Sequence, residues 1–265
     1  MTRRLALITG ASAGIGEAFA RLYAKRGCDL VLVARREDKL NDLADTLELG
    51  TGAKSLVIPA DLSDPNAVDH ILAKINAKGH VVDVLVNNAG YGLPDEYADT
   101  SWQDQADFLQ VMLTAPCELA HKVLPGMLER RWGRIVNVSS LAGFAPGSRG
   151  HTLYAAVKAG LIKFSQSLNV ECENTGVHVT AVCPGFTYSE FHDVNGTRDQ
   201  MNKLPNYMWQ SADDVALTGF EASANNRAVI VTGGVNKGLA ALTKIMPDPL
   251  ALHIMKQRGT ILSKD

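Results

Sequence analysis

The sequence predicts an α/β fold in which one doubly wound parallel sheet forms a single domain spanning residues 1–265. Two observations carry that expectation. Short apolar runs such as Leu5-Ala6-Leu7-Ile8 and Leu30-Val31-Leu32-Val33 alternate with amphipathic helical stretches along the whole chain. Their positions are consecutively apolar, the pattern of strands covered on both faces. The chain shows no repeat, low-complexity segment or linker, and its length suits one large domain.

The first strand, Leu5 to Ile8, runs into Thr9-Gly10-Ala11-Ser12-Ala13-Gly14-Ile15-Gly16, and a helix with Ala18, Phe19, Leu22 and Tyr23 leaves it. A strand, a glycine turn and a helix aim free backbone N–H groups at an anion. The glycines at 10, 14 and 16 do not fit the G-x-G-x-x-G spacing. They still suit a tight turn, close approach to a phosphate and close helix–strand packing, and a plain glycine-rich turn remains the alternative. That first helix should end at Gly27. The second strand, Leu30 to Val33, closes on Arg35-Arg36, and a helix with Leu40, Leu43, Ala44 and Leu47 stops at Gly50. A third strand around Leu56-Val57-Ile58 precedes Asp61, and a helix with Val68, Ile71, Leu72 and Ile75 reaches Gly79.

Strand four, Val84-Leu85-Val86, delivers Asn87-Asn88-Ala89-Gly90. A long helical stretch from about Ser101 to Arg130 is expected to be interrupted by Pro116 and Pro125. Strand five, Ile135 to Val138, ends at Ser139-Ser140. A helix from about Thr152 to Asn174 follows, then strand six from Val177 to Val182, ending at Pro184-Gly185. Ser211 caps a further helix with Asp214 at the capping-box position, and Val229-Ile230-Val231 is the last strand. Ligands of such sheets bind beyond the carboxyl ends of the strands. The residues after each strand (Gly10–Gly16, Arg35, Asp61, Asn88–Gly90, Ser139-Ser140 and Pro184-Gly185) therefore gather along one candidate edge.

Composition excludes several classes. The chain is 46% hydrophobic and 20% charged with a formal charge of −2, which gives no global attraction to nucleic acid. Cys28, Cys117, Cys172 and Cys183 lie far apart and read as reduced thiols of a cytoplasmic protein. The chain enters its first strand directly after Met1-Thr2-Arg3-Arg4, which predicts no signal peptide, and no apolar run reaches membrane-spanning length. His121, His151, His178 and His192 have no ligand spacing, so no metal is expected.

Tyr154 and Lys158, four apart, share a helical face. A tyrosine with its usual pKa near 10 is a poor proton donor or acceptor at neutral pH, and a nearby ammonium is expected to lower that value. Ser140, at the neighbouring strand end, is placed to hydrogen-bond a substrate oxygen.

Together these motifs resemble the short-chain dehydrogenase/reductases over nearly the whole chain. The matching landmarks are T-G-x-x-x-G-x-G at Thr9–Gly16, N-N-A-G at Asn87–Gly90, Ser140 of S-S-x-A-G, Y-x-x-x-K at Tyr154–Lys158, and Pro184-Gly185. The resemblance implies a Rossmann-like fold and hydride transfer between a nicotinamide and a carbonyl or secondary alcohol. Tyr154 would be the acid/base, Lys158 would hold the nicotinamide ribose, and Ser140 would orient the carbonyl. Ser139 is left to cap or fill the strand end. Gly10, Ser12, Ala13, Gly14, Ile15, Asp61, Leu62, Asn88, Ala89, Gly90, Tyr154, Lys158, Pro184, Gly185 and Thr187 become the candidate cofactor contacts, with Phe186–Ser189 at the carboxamide end. Arg35 and Arg36 stand where NAD-dependent members carry an acidic residue, which favours NADP over NAD. Ala13, where some NADP-dependent relatives add a base, contributes no charge.

One departure is Met112 at the position of an asparagine that supports a proton relay in many members. Either Met112 is ordinary packing, with backbone carbonyls and water serving the relay, or proton traffic is weakened. The alternative function, a catalytically weak dinucleotide sensor or scaffold, rests on this residue alone. Residues 187–210 read as a substrate lid, whose Phe191, Met201, Leu204, Tyr207, Met208 and Trp209 line an apolar pocket or anchor the lid. Residues 235–265 form a basic, apolar C-terminal extension broken at Pro247 and Pro249. Packing over the substrate mouth or a partner subunit is its first reading, and contact with a membrane surface the second. The resemblance also implies a homodimer or homotetramer acting on a small molecule.

Overall fold

A computed structural model describes residues 3–93, 95–147, 152–188, 208–247 and 249–253. Seven strands, β1 (Leu5–Thr9), β2 (Asp29–Ala34), β3 (Ser55–Pro59), β4 (Val84–Asn87), β5 (Gly133–Val138), β6 (Val177–Cys183) and β7 (Val229–Val231), form one sheet in the order β3-β2-β1-β4-β5-β6-β7. Every pairing is parallel. Leu7 sits in register between Val31 and Leu85, so the chain reverses its winding direction at β1 and β4. That switch is where an open α/β sheet leaves a crevice at its carboxyl edge.

The helices are α1 (Gly14–Lys25), α2 (Glu37–Thr51), α3 (Ala67–Ala77), α4 (Trp102–Leu109), α5 (Ala115–Glu129), α6 (Thr152–Glu171), α7 (Ala212–Ala224) and α8 (Gly234–Ile245). Side chains alternate between the two faces of the sheet, which makes two cores. Leu5 and Leu7 join Val31, Val33, Ile71, Leu119 and Val157 under α3, α5 and α6. Ala6 and Ile8 join Phe19, Leu30, Leu32, Leu43 and Val215 under α1, α2 and α7. The interior strands β1 and β4 are buried at every position, whereas the edge strand β7 is half-buried throughout.

Local differences from the sequence reading have physical causes. Helix α2 does not stop at Gly50; it continues to Thr51 because Gly52 takes the left-handed cap (φ 68°) and donates its N–H to Glu48 O at 2.8 Å. Pro125 lies inside α5 and does not break it. The interruption of the long helix falls at residues 110–114, a π-helical turn in which Ala115 N–H reaches back to Gln110 O. Pro116 explains it: having no N–H, it leaves the carbonyl four residues back, that of Met112, without its α-helical donor. The Gly27 cap (φ 84°) and the Ser211 N-cap, which accepts from Asp214 N at 3.0 Å, agree with the sequence reading. Among the described residues no helix is long and apolar enough to cross a membrane. Of the lid, residues 189–207, with Phe191, Met201, Leu204 and Tyr207, lie outside the described residues, as do residues 254–265 of the C-terminal extension.

Candidate active site

The glycine turn after β1 is shaped by contacts that admit no side chain. Gly10 (φ 65°) and Gly14 (φ 58°) hold left-handed backbone that favours glycine. A Cβ at Gly16 would lie 2.1 Å from Gly10 O, so the first turn of α1 rests directly on the loop before it. The N-terminus of α1 carries no side-chain cap. Its free N–H groups, with the helix dipole behind them, suit a phosphate. The loop is fixed from β4: Asn88 Nδ2 donates to Thr9 O (3.0 Å) and Gly10 O (3.2 Å). Thr9 Oγ1 in turn accepts from Asn88 N (3.0 Å) and Ala89 N (3.1 Å). The side chain of Asn88 is thus committed to the loop, and Gly90 packs under the Met112 thioether.

Along the same edge, Arg36 Nη2 donates to Ser12 Oγ at 3.0 Å and leans over the glycine turn. Asp61, just past β3, accepts from the N–H and hydroxyl of Ser63. These bonds and the nearby Arg35 guanidinium, acting against the effect of burial, hold its carboxyl below the ordinary range. Arg35 and Arg36 are exposed and thus accessible to a ligand anion. Leu62 is different: its side chain is buried in the core, so only its backbone faces the edge.

Ser140, Tyr154 and Lys158 come together from the end of β5 and the first turns of α6. Ser140 Oγ accepts from Ala142 N at 3.1 Å and is hydrogen-bonded to the Tyr154 hydroxyl. Lys158 Nζ lies 5.7 Å from the centre of the Tyr154 ring and donates to Val138 O at 2.9 Å. The expected lowering of the tyrosine is not what this geometry gives. Burial pushes the Tyr154 phenol up, with the Ser140 bond opposing it, and pushes Lys158 down to about 8. Desolvation is the largest cause of both shifts. Beside Tyr154 a narrow crevice is lined by Leu93, Tyr97, Gln105, Phe108 and Leu153.

Several residues hold the site in place in ways the sequence reading did not assign. Ser139 does more than fill a strand end: its Oγ donates to Lys158 O at 2.7 Å and fixes that turn of α6. Gly143 lets the loop approach, since a Cβ there would meet Lys158 C at 2.8 Å. Beneath the site, Asn87 Nδ2 donates to Asn137 Oδ1 (2.9 Å) and Pro116 O (3.1 Å), and Asn137 Nδ2 donates to Ser165 Oγ (2.9 Å). This buried chain joins β4, β5, α5 and α6. Its sequence signal is an amide inside an apolar strand, as in Ile135-Val136-Asn137-Val138. Beyond β6, Leu141 N donates to Pro184 O (2.8 Å) and Thr187 Oγ1 donates to Gly185 O (3.2 Å), which sets the Pro184–Thr187 turn beside the serine loop.

A doubly wound parallel sheet with a glycine cradle at its switch point and a Ser–Tyr–Lys cluster at the same edge defines an NAD(P)-dependent oxidoreductase of the Rossmann-like class. The family description short chain dehydrogenase matches residues 4–200. Nodulation protein G of Rhizobium sp. (strain N33) is 38% identical over 251 residues, covering 91% of this chain and 99% of the relative. A short-chain dehydrogenase from Sphingobium yanoikuyae in complex with NADPH has a TM-score of 0.79 at 32% identity, covering 86% of this chain and 87% of that one. A 7beta-hydroxysteroid dehydrogenase has a TM-score of 0.85 at 25% identity, with 96% of each chain covered. The chain belongs to the short-chain dehydrogenase/reductase family.

Proposed function

We propose that this chain is an NADP(H)-preferring reductase or dehydrogenase that interconverts a ketone or aldehyde and its alcohol, with Tyr154 as general acid/base. The observation that carries this reading is the Ser140–Tyr154 hydrogen bond beside buried Lys158, on the edge that presents the uncapped N-terminus of α1. NADPH, when bound, supplies the hydride. The backbone N–H groups of Ala13, Gly14 and Ile15, with the Ser12 hydroxyl, would hold the pyrophosphate. Arg35 and Arg36 would flank the adenosine 2′-phosphate, while Asp61 and the backbone of Leu62 would face the adenine. Asn88, Ala89 and Gly90 would line the adenosine ribose, and Pro184, Gly185 and Thr187 the carboxamide.

Ser140 and Tyr154 would both donate to the carbonyl oxygen, and the tyrosine proton would move to that oxygen as it gains charge. Tyr154 is protonated at neutral pH and so carries the proton the reducing direction needs, but burial makes it a weaker acid, and a neighbouring positive charge would have to offset that shift for the proton to leave. Lys158, as an ammonium, would stabilise the phenolate left behind. No observation favours a sensor or scaffold, since Met112 is buried against Gly90 as ordinary packing.

The test is titration with NADPH and NADH, followed by a panel of ketones and aldehydes with the tighter cofactor. Wild type should bind NADPH at least about tenfold more tightly than NADH, and Arg35→Ala should remove most of that preference. Tyr154→Phe should bind NADPH normally and turn over none of the panel. Equal affinity for both cofactors, unchanged in Arg35→Ala, would overturn the NADP assignment; turnover by Tyr154→Phe would overturn the role of the tyrosine.

A further inference from the structure

Two carboxamides brace the turn that follows β6, and both lie beyond residue 200, outside the family match. The first is Gln210. Its N–H donates to Phe186 O at 3.0 Å and its carbonyl accepts from Tyr188 N at 3.0 Å, so it closes a short parallel bridge with Thr187. Its side-chain Oε1 accepts from Thr232 Oγ1 at 2.5 Å. Its Nε2 lies where a Cβ on Gly233 (φ 79°) would sit only 2.2 Å away. The second is Asn236, on the first turn of α8 and 3% exposed. Its Nδ2 donates to Thr232 O at 3.0 Å, and its flat amide lies against Gly185, where a Cβ would be 2.4 Å from Nδ2.

Both grips converge on Thr232, itself 1% exposed and anchored by its N–H to Cys183 O at 3.2 Å. An apolar pair would fill this space without the desolvation that a buried amide costs. What the amides add is direction: both bond to Thr232 of the β7–α8 turn, while the Asn236 amide lies on Gly185 and the Gln210 backbone carries the bridge to Phe186 and Tyr188. We infer that Gln210 and Asn236 are positioning residues that lock the Gly185–Thr187 turn to the β7–α8 turn and so fix where the nicotinamide half of the cofactor is held. This rests on the NADP(H) reading above.

The experiment compares NADPH with adenosine 2′,5′-bisphosphate, which carries only the adenine half, using fluorescence for the first and calorimetry for both. In Gln210→Leu and Asn236→Leu, NADPH affinity should fall about tenfold while adenosine 2′,5′-bisphosphate affinity stays within about twofold. Gln210→Glu keeps the acceptor for Thr232 and should restore NADPH affinity to within about threefold of wild type. Thr232→Val, near-isosteric, breaks the same bond from the other side and should reproduce the Gln210→Leu result; it carries the test if Gln210→Leu does not fold. Unchanged NADPH affinity in these variants, or equal losses for both probes, would overturn the inference. Failure of wild type to bind NADPH would instead overturn the cofactor reading and the inference with it.

Discussion

At the scale of single residues, the same change at two glycines should act in opposite directions. Gly16→Ala drives a methyl to 2.1 Å from the Gly10 carbonyl, a backbone atom that cannot swing aside. It should lower stability by about 1–3 kcal/mol and weaken NADPH binding, because the cradle itself must open. Gly50→Ala meets nothing within 4 Å and lies inside α2. It should raise stability by about 0.8–1.0 kcal/mol through helix propensity and leave NADPH affinity alone. Thermal melts with NADPH titrations read both, and a destabilised Gly50→Ala would show that the strain argument is misapplied. The G-x-x-x-G-x-G spacing made all three glycines of the turn legible in the sequence. Their division of labour was not, because positive φ at Gly10 and Gly14 and the close approach at Gly16 appear only once Asn88 and the loop are in place. Tyr154 teaches the same lesson: the i,i+4 spacing showed its neighbour, while the sign of its shift depended on burial that spacing does not encode.

At the scale of elements, strands β1 to β7 were legible as consecutive apolar runs, and helix ends were legible at Gly27 and the capping Ser211 but not at Gly50, which α2 passes before capping at Gly52. The π turn at residues 110–114 was not. Pro116 signalled a break, but a helix can absorb a missing N–H either by ending or by widening; here it widens, with the π turn packed against α6. The tie between β1 and β4 is the element-level feature with the largest expected effect. Thr9 Oγ1 accepts two backbone N–H groups and is 1% exposed as a residue. Thr9→Val removes that acceptor with little change of shape, so it should cost roughly 2–4 kcal/mol and loosen the cradle toward NADPH. Ser101→Ala is its control: it deletes the capping box of α4, in which Ser101 Oγ accepts from Asp104 N at 3.1 Å. It should cost about 1 kcal/mol with NADPH affinity unchanged. Equal NADPH losses in both would mean that the tie has no special connection to the cradle.

At the scale of the whole molecule, the fold keeps one cation, Lys158, inside among the described residues, and that burden depends on pH. Lys158 is 5% exposed, and burial takes its pKa from 10.5 to about 8. Below about pH 8 the lysine is charged in both states, so the folded protein bears the full cost of burying the ammonium. Between about 8 and 10.5 the folded state has released the proton and the unfolded state still holds it. The unfolded state then binds more protons, so this group makes stability rise with pH across that window. Lys158→Met carries no such cost. Its melting temperature relative to wild type should therefore be most favourable at pH 7, and the difference should shrink by about 5 °C by pH 9.5. Groups that do not interact with Lys158 titrate alike in both proteins and drop out of the comparison. The same variant should turn over no ketone, since it lacks the ammonium beside Tyr154, so the residue most costly to the fold would be one the chemistry needs. A difference in melting temperature that stays constant from pH 7 to pH 9.5 would mean that Lys158 keeps its ordinary pKa in the folded chain, with its ammonium open to water.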